Sequence, residues 1–239
     1  MTGGLPELLK TLLEPFGFVL RALPLSVLIL ALSVVFGSML GMLLTFARLK
    51  KNPVSSKIAA VFISFQRGTP ILVQLFLIYF GIPRITQMFG LDLSSADPTI
   101  FAVLAFTLNE SAFLSETFRS SYLAVEKGQQ EAAYSVGMNG WQSFHRIILP
   151  QAVRIGLPNF GNLVIELFKN TSLSFTIGVM DLMGRANQFI TLDMGVKQVQ
   201  TYFALAVIYW IGCIGIERII ALLEKAFVRG NASVLTAKG

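Results

Sequence analysis

A chain of 239 residues that is 54% hydrophobic and 13% charged, with a mean hydropathy of +0.68, has too little polar surface for a water-soluble domain of its size. The formal charge of +6 would suit nucleic acid only if the basic residues shared one face; instead they are spread among loop ends, where they read as membrane-topology signals. One cysteine, Cys213, and one histidine, His145, exclude a disulfide framework and a Cys/His metal site, so the expected class is an all-α integral membrane protein with no metal centre.

Residues 1–20 set Leu8, Leu9, Leu12, Leu13 and Phe16 against Glu7, Lys10 and Glu14, a pattern that predicts an amphipathic helix at the membrane interface. Acidic residues interrupt the stretch, which argues against a cleaved signal peptide. From Ala22 to Ala47 there is no charge, enough to cross a hydrocarbon core that needs about 20 helical residues. Arg48, Lys50 and Lys51 follow, and they predict that this first span ends in the cytoplasm and that the N-terminus is outside.

The second span is predicted over about Ile58–Phe80, kinked at Arg67-Gly68-Thr69-Pro70 and ended by Gly81-Ile82-Pro83. A third, about Thr99–Phe118, carries Asn109, Glu110 and Glu116. A fourth, about Ile155–Val179, goes out again and is followed by an external segment holding Asp181, Arg185, Asp193 and Lys197. The fifth, Gln198–Ile216, is free of charge and returns the chain to a cytoplasmic end near Lys225 and Arg229.

Charge is unevenly divided among these spans. An ionised group at the bilayer centre costs roughly 3 kcal/mol or more, so the charged second, third and fourth spans should face one another or a wet cavity, and the first and fifth should face lipid. Asn162, Glu166, Lys169 and Asn170 fall three or four apart on one helix stripe, either as a pore surface or as a neutralised Glu166–Lys169 pair. Glu116 and Arg119, one turn apart, suit a structural pair, whereas Glu110 has no local partner.

Between the third and fourth spans lies a polar, glycine-broken loop, Glu131 to Pro150, with helical pieces predicted at Glu126–Val136 and Trp141–Ile148, the second ended before Pro150. Glu131-Ala132-Ala133, three residues, Gly137, nine residues, Ile147, one residue, Leu149-Pro150 resembles the EAA loop of bacterial ABC importer permeases. Arg67-Gly68-Thr69-Pro70 with Val73-Gln74, Glu116 with Arg119, Gly128 to Ala133, Pro150-Gln151-Ala152, Leu157-Pro158 and Lys169-Asn170-Thr171-Ser172-Leu173 resemble the polar amino-acid branch, over about 20–226.

That resemblance implies a single permease domain over 1–239 with a type I importer fold of five transmembrane helices and a coupling loop at about 126–150. It implies multi-pass residence in the bacterial inner membrane, a second permease chain (the same or different), two ATP-binding subunits and an extracytoplasmic substrate-binding protein. Coupling is expected at Glu131, Ala132, Ala133, Gly137, Ile147, Leu149 and Pro150. The candidate substrate path is Gly68, Thr69, Asn109, Glu110, Asn162, Glu166, Lys169, Asn170, Thr171 and Ser172.

No cofactor is expected on this chain, ATP and magnesium belonging to the partners. It lacks a GxxxxGK[ST] loop, HExxH and G-x-S-x-G, so it is expected to be no enzyme. The solute is a polar or neutral amino acid; the run Ile177 to Gly184 resembles cystine-transporting members. A passive channel, or a permease for another small polar solute, is the alternative. Asn170 stands where the family usually has an acidic residue, which argues against a carrier for arginine or lysine; Glu110 and Glu166 are carboxylates the family does not usually have.

Overall fold

The computed structural model describes residues 5–50 and 52–236, with side chains described from 13 to 50 and from 52 to 227. Lys51 and the side chains of Glu7, Leu8, Leu9, Lys10, Leu12 and Arg229 lie outside them. The helices are α1 Leu5–Leu20, α2 Leu23–Leu49, α3 Pro53–Gly68, α4 Ile71–Gln87, α5 Pro98–Leu123, α6 Lys127–Ser135, α7 Gly140–Ser143, α8 Leu149–Asn170, α9 Leu182–Leu192 and α10 Gln198–Thr236.

The spine is the pair α2 and α5. Along α2 the buried positions include Ser33, Gly37, Gly41 and Thr45, one small residue per turn. Small residues let two backbones approach, and in a membrane such packing takes the place of a hydrophobic drive. Here Ser33 Oγ donates to Val103 O at 3.5 Å and Thr45 Oγ1 to Ser115 O at 3.0 Å, both with a sequence separation of 70. A constant separation means that the two helices run parallel. The chain between them must therefore cross back once.

That return is made by α3 and α4, which are bent by 110° at their break and together are long and apolar enough for one span. The sequence foresaw a kink at Arg67–Pro70; the bend is far sharper, because Pro70 can give no amide hydrogen and Thr69 and Pro70 are both extended. Pro83 does not end this span as expected. It is accommodated inside α4, which runs on to Gln87.

Next, α8 packs antiparallel on α5: Asn159 Nδ2 donates to Thr117 Oγ1 at 2.6 Å, and Gly156 meets Ser121. Antiparallel contact continues to α10, with Gly161 against Ile220 and Phe168 against Gly212. Five spans result when each bent pair counts as one, the second being Gly140–Ile177 with α9, bent by 49°. Large apolar side chains on the outside of α2 and α10, among them Phe36, Leu43, Phe203 and Trp210, are exposed, and α5 is the most buried of the three straight spans, but α2 also buries a face against α5, which the division of charge did not predict.

Two further expectations fail. The segment from Asp181 onward, expected to lie outside the spans, packs into the bundle: Asp181 is fully buried and its Oδ1 caps α9 by accepting the Gly184 N–H at 2.8 Å. Leu182, Ala186 and Phe189 face inward, and the Leu182 N–H donates to Ser26 Oγ on α2. Pro150 likewise breaks nothing. A π turn over Phe144–Ile148, with Leu149 N–H donating to Phe144 O, widens the helix just where the proline ring would strike the carbonyl four residues back. The helix from Gly140 therefore runs into α8.

The N-terminal helix α1 lies against α9 and α10, burying Val19 and stacking Phe18 on Phe189 at 5.2 Å. Lys197 Nζ reaches Glu14 Oε2 at 2.6 Å and Asp193 Oδ1 at 3.7 Å, and the Glu14 hydrogen bond holds the lysine above its usual pKa.

Candidate functional sites

Two regions carry the predicted residues: a knob at one end of the bundle and a polar face at bilayer depth.

The knob begins where α2 and α5 end together. Glu116 accepts from Arg48 Nη1 at 2.6 Å and from Arg119 Nε at 3.3 Å, so the predicted Glu116–Arg119 pair forms and also ties α2 to α5. Replacing Glu116 by Gln should destabilise the fold by about 1–2 kcal/mol, since both guanidinium groups lose a charged partner in a half-exposed setting. Thermal unfolding in detergent measures this, with Arg48→Ala and the double variant closing a cycle. An Arg48→Ala loss that Glu116→Gln leaves undiminished would show that the two do not interact.

Beyond Leu123 the chain folds into α6, a turn and α7. Helix α6 ends in a Schellman motif: Met138 N–H donates to Ala133 O at 3.1 Å and Gly137 N–H to Tyr134 O at 3.0 Å, with Gly137 at φ +79°. Asn139 then opens α7 through a capping box with Gln142. Two reciprocal caps around a left-handed glycine make a turn with a defined shape. Glu131 and Ala132 are exposed on it, Ala133 is buried beneath, and Ile147, Leu149 and Pro150 are half-buried at its root. Sequence reading missed the apolar surface of the tip: Tyr134, Val136 (72% exposed) and Trp141 (69%), the last stacked on His145 at 4.5 Å.

The polar face is split by the structure into two groups. Asn162, Glu166 and Lys169 are exposed on α8, Asn170 and Ser172 are half-buried, and no ion pair joins Glu166 to Lys169. Gly68 is exposed and Thr69 half-buried beside a shallow groove of Ala60, Val61, Ser64 and Phe65. Glu110 is buried on α5. Thr171 turns inward, its Oγ1 donating to Phe168 O.

Asn109 is also turned inward, into a clamp around the α3–α4 break. Its Nδ2 donates to Gln74 Oε1 at 3.0 Å and Gln66 O at 3.3 Å. Gln74 Nε2 in turn donates to Gln66 O at 2.8 Å and Thr69 Oγ1 at 2.8 Å. These amides stand in for helical partners removed at the break. The signal was present in the sequence: two glutamines, Gln66 and Gln74, straddle a proline within an apolar run.

Residues 37–229 match the family model described as "Binding-protein-dependent transport system inner membrane component". The L-cystine transport system permease protein TcyL of Bacillus subtilis is 42% identical over 90% of this chain and 89% of its own. The glutamine transport system permease protein GlnP of Escherichia coli is 33% identical over 79% and 83%. The crystal structure of an amino acid ABC transporter with histidines superposes with a TM-score of 0.78 at 28% identity, covering 95% of this chain and 100% of that one. The inward-facing MetNI methionine ABC transporter shares the fold, with a TM-score of 0.68 at 17% identity. With a family model spanning most of its length, relatives that match over 79% to 90% of it and a helical bundle of the type I importer kind, the chain belongs to the inner-membrane components of binding-protein-dependent transport systems.

Proposed function

We propose that this chain is the permease subunit of an ATP-driven amino-acid importer in a bacterial inner membrane, with its N-terminus outside and its C-terminus in the cytoplasm. Two such subunits, alike or different, form the pore, and two ATP-hydrolysing subunits grip the knobs beneath it. An extracytoplasmic binding protein delivers the solute, a polar or neutral amino acid; the likeness to TcyL favours L-cystine.

The observation that carries the reading is the knob. It has a fixed turn at Gly137, an exposed Glu131-Ala132 edge and an apolar tip, and its root continues as helix into α8, the span with the exposed polar stripe. A push on the knob is thus applied directly to the polar face. Closure of the ATP-binding subunits would rotate the two bundles as rigid bodies, by contacts that differ between the two states. Nucleotide and magnesium stay on the partners, and the chain does no bond chemistry.

The test is reconstitution of the permease with its ATPase subunit in liposomes. L-cystine uptake should require ATP, the ATPase subunit and the loaded binding protein together. Uptake by the permease alone would instead make it a passive channel.

A further inference from the structure

At the end of the bundle where α2 stops, α10 carries an exposed stripe whose level in the membrane is fixed by contacts across three helices. Glu116 pairs with Arg48, its neighbour Thr117 meets Asn159 on α8, and Gly161 on α8 meets Ile220 on α10. Ile220 therefore lies within about 5 Å, along the bundle axis, of the Arg48–Glu116 pair. Arg218 and Lys225 straddle that level, about 10 Å apart along α10.

Ile211, Gly215, Arg218, Leu222 and Lys225 recur four and three residues apart, so they share one line along the helix, and all five are exposed. Ile211 is 60% exposed and Leu222 66%, and a Cβ at Gly215 would meet nothing within 4 Å. In the sequence Arg229 holds the next place in the same spacing. Successive residues turn by about 100°, so Glu217 and Glu224 point within about 60° of Ile220, the residue that faces α8, whereas Arg218 and Lys225 point about 140–160° away from it. Charge is thus sorted around this helix, with the carboxylates on the side of α8 and the cations on the side opposite. No residue three or four places from Arg218 or Lys225 is acidic, and among the described residues no ion pair holds either.

The geometry points to an anionic phospholipid as the occupant of this stripe, in the leaflet at the Arg48 end of the bundle. Its headgroup phosphate lies against Arg218 and Lys225, and its acyl chains run along Ile211 and Gly215. Arg218 has exposed apolar residues a turn away on either side, where the hydrocarbon gives way to headgroups, and a long side chain there reaches for phosphate. A zwitterionic head brings an ammonium of its own to the same cations, so a head with net negative charge is preferred. The surface belongs to a different face and chemistry from the knob and the polar stripe of α8, and it needs neither for its argument.

Native mass spectrometry of the purified permease–ATPase complex tests it. The complex is released from micelles holding equal amounts of phosphatidylglycerol and phosphatidylcholine with the same acyl chains. Phosphatidylglycerol should be retained over phosphatidylcholine by roughly tenfold, and Arg218→Gln with Lys225→Gln should bring the two lipids within about twofold. Each single variant should fall between, and the pair of them supplies the reading if the double variant yields no complex. Arg218→Lys with Lys225→Arg keeps the charge and should keep the preference. Lys57→Gln with Lys127→Gln removes as much charge from exposed sites elsewhere at the same end and should leave the preference nearly intact.

A wild-type complex without the preference would overturn the inference, as would a preference that survives in the double variant, or in both single variants where the double cannot be read. Equal loss in the Lys57 and Lys127 control would also overturn it, since the attraction would then be spread over the whole basic end. Loss of the ATPase subunit or of a second permease chain from the double variant, with lipid retention unchanged, would make the stripe a protein contact instead. The same spectra report subunit composition and bound lipid separately, so failure of the lipid surface and failure of the permease reading are told apart.

Discussion

Replacing Gly137 by valine should leave the protein inserted and folded yet cut ATP-driven uptake by roughly tenfold or more, through the backbone alone. A Cβ at this position would meet nothing within 4 Å, so there is no steric clash to invoke. The cost lies in φ, which is +79°, a region that a β-branched residue avoids and that costs even an ordinary side chain about 1–2 kcal/mol. Relief requires the turn to open. The bonds from Met138 to Ala133 and from Gly137 to Tyr134 would then be lost, and the tip carrying Val136 and Trp141 would swing away from the Glu131 edge. Asparagine tolerates left-handed backbone, so Gly137→Asn should transport nearly normally. Gly137→Asp should fall between: its backbone fits almost as well, but it adds a charge to a surface proposed to be buried against a partner. The measurements are uptake, co-purification of the ATPase subunit and Tm in detergent. Valine and asparagine variants of equal activity would mean that the shape of this turn is not what the partner reads.

What could be read in the sequence, and what could not, divides along physical lines. Spans made of one straight helix, α2, α5 and α10, lie where hydropathy puts them, because length and a mainly apolar composition suffice to define them. The remaining two are assembled from bent pairs, and there local signals misled. Asp181, Arg185, Asp193 and Lys197 look like a wet loop in composition, yet Asp181 serves as a buried cap and the helix after it is half apolar. Pro150 looks like a stop, but a single wide turn removes the clash that makes proline a stop. In the polar face the sequence indicated which residues are unusual in a membrane without indicating which way they point. Glu166 faces out, whereas Asn109, on the neighbouring helix, is occupied by the glutamine clamp. Pairing across helices, not propensity along one, decides between these outcomes.

The stripe of small residues on α2 went unread for the opposite reason: in a hydropathy profile Ser33, Gly37, Gly41 and Thr45 vanish into a long apolar run. Their spacing nonetheless predicts a large structural effect. A Cβ built at Gly41 would lie 3.1 Å from the Ser111 carbonyl oxygen, 3.2 Å from Leu114 Cβ and 3.3 Å from the Ser115 nitrogen. Two of those three neighbours are backbone, which cannot rotate away. Gly41→Ala should therefore push α2 off α5 and destabilise by about 1–3 kcal/mol, the range for an overpacked core, and Gly41→Leu should prevent the two helices from docking at all. Gly215, inside α10 with nothing within 4 Å, supplies the control: alanine there should stabilise by about 0.5–1 kcal/mol, since only the entropy of glycine is removed. The pair is informative because the same chemical change carries opposite signs. Thermal unfolding of the detergent-solubilised variants reads it, and disulfide trapping between cysteines at Ser33 and Val103 reports whether the helices remain in contact. If Gly41→Ala raised Tm as Gly215→Ala should, then α2 and α5 would not be pressed together, and the parallel pair on which the return span, the knob and the polar face are all hung would have to be redrawn.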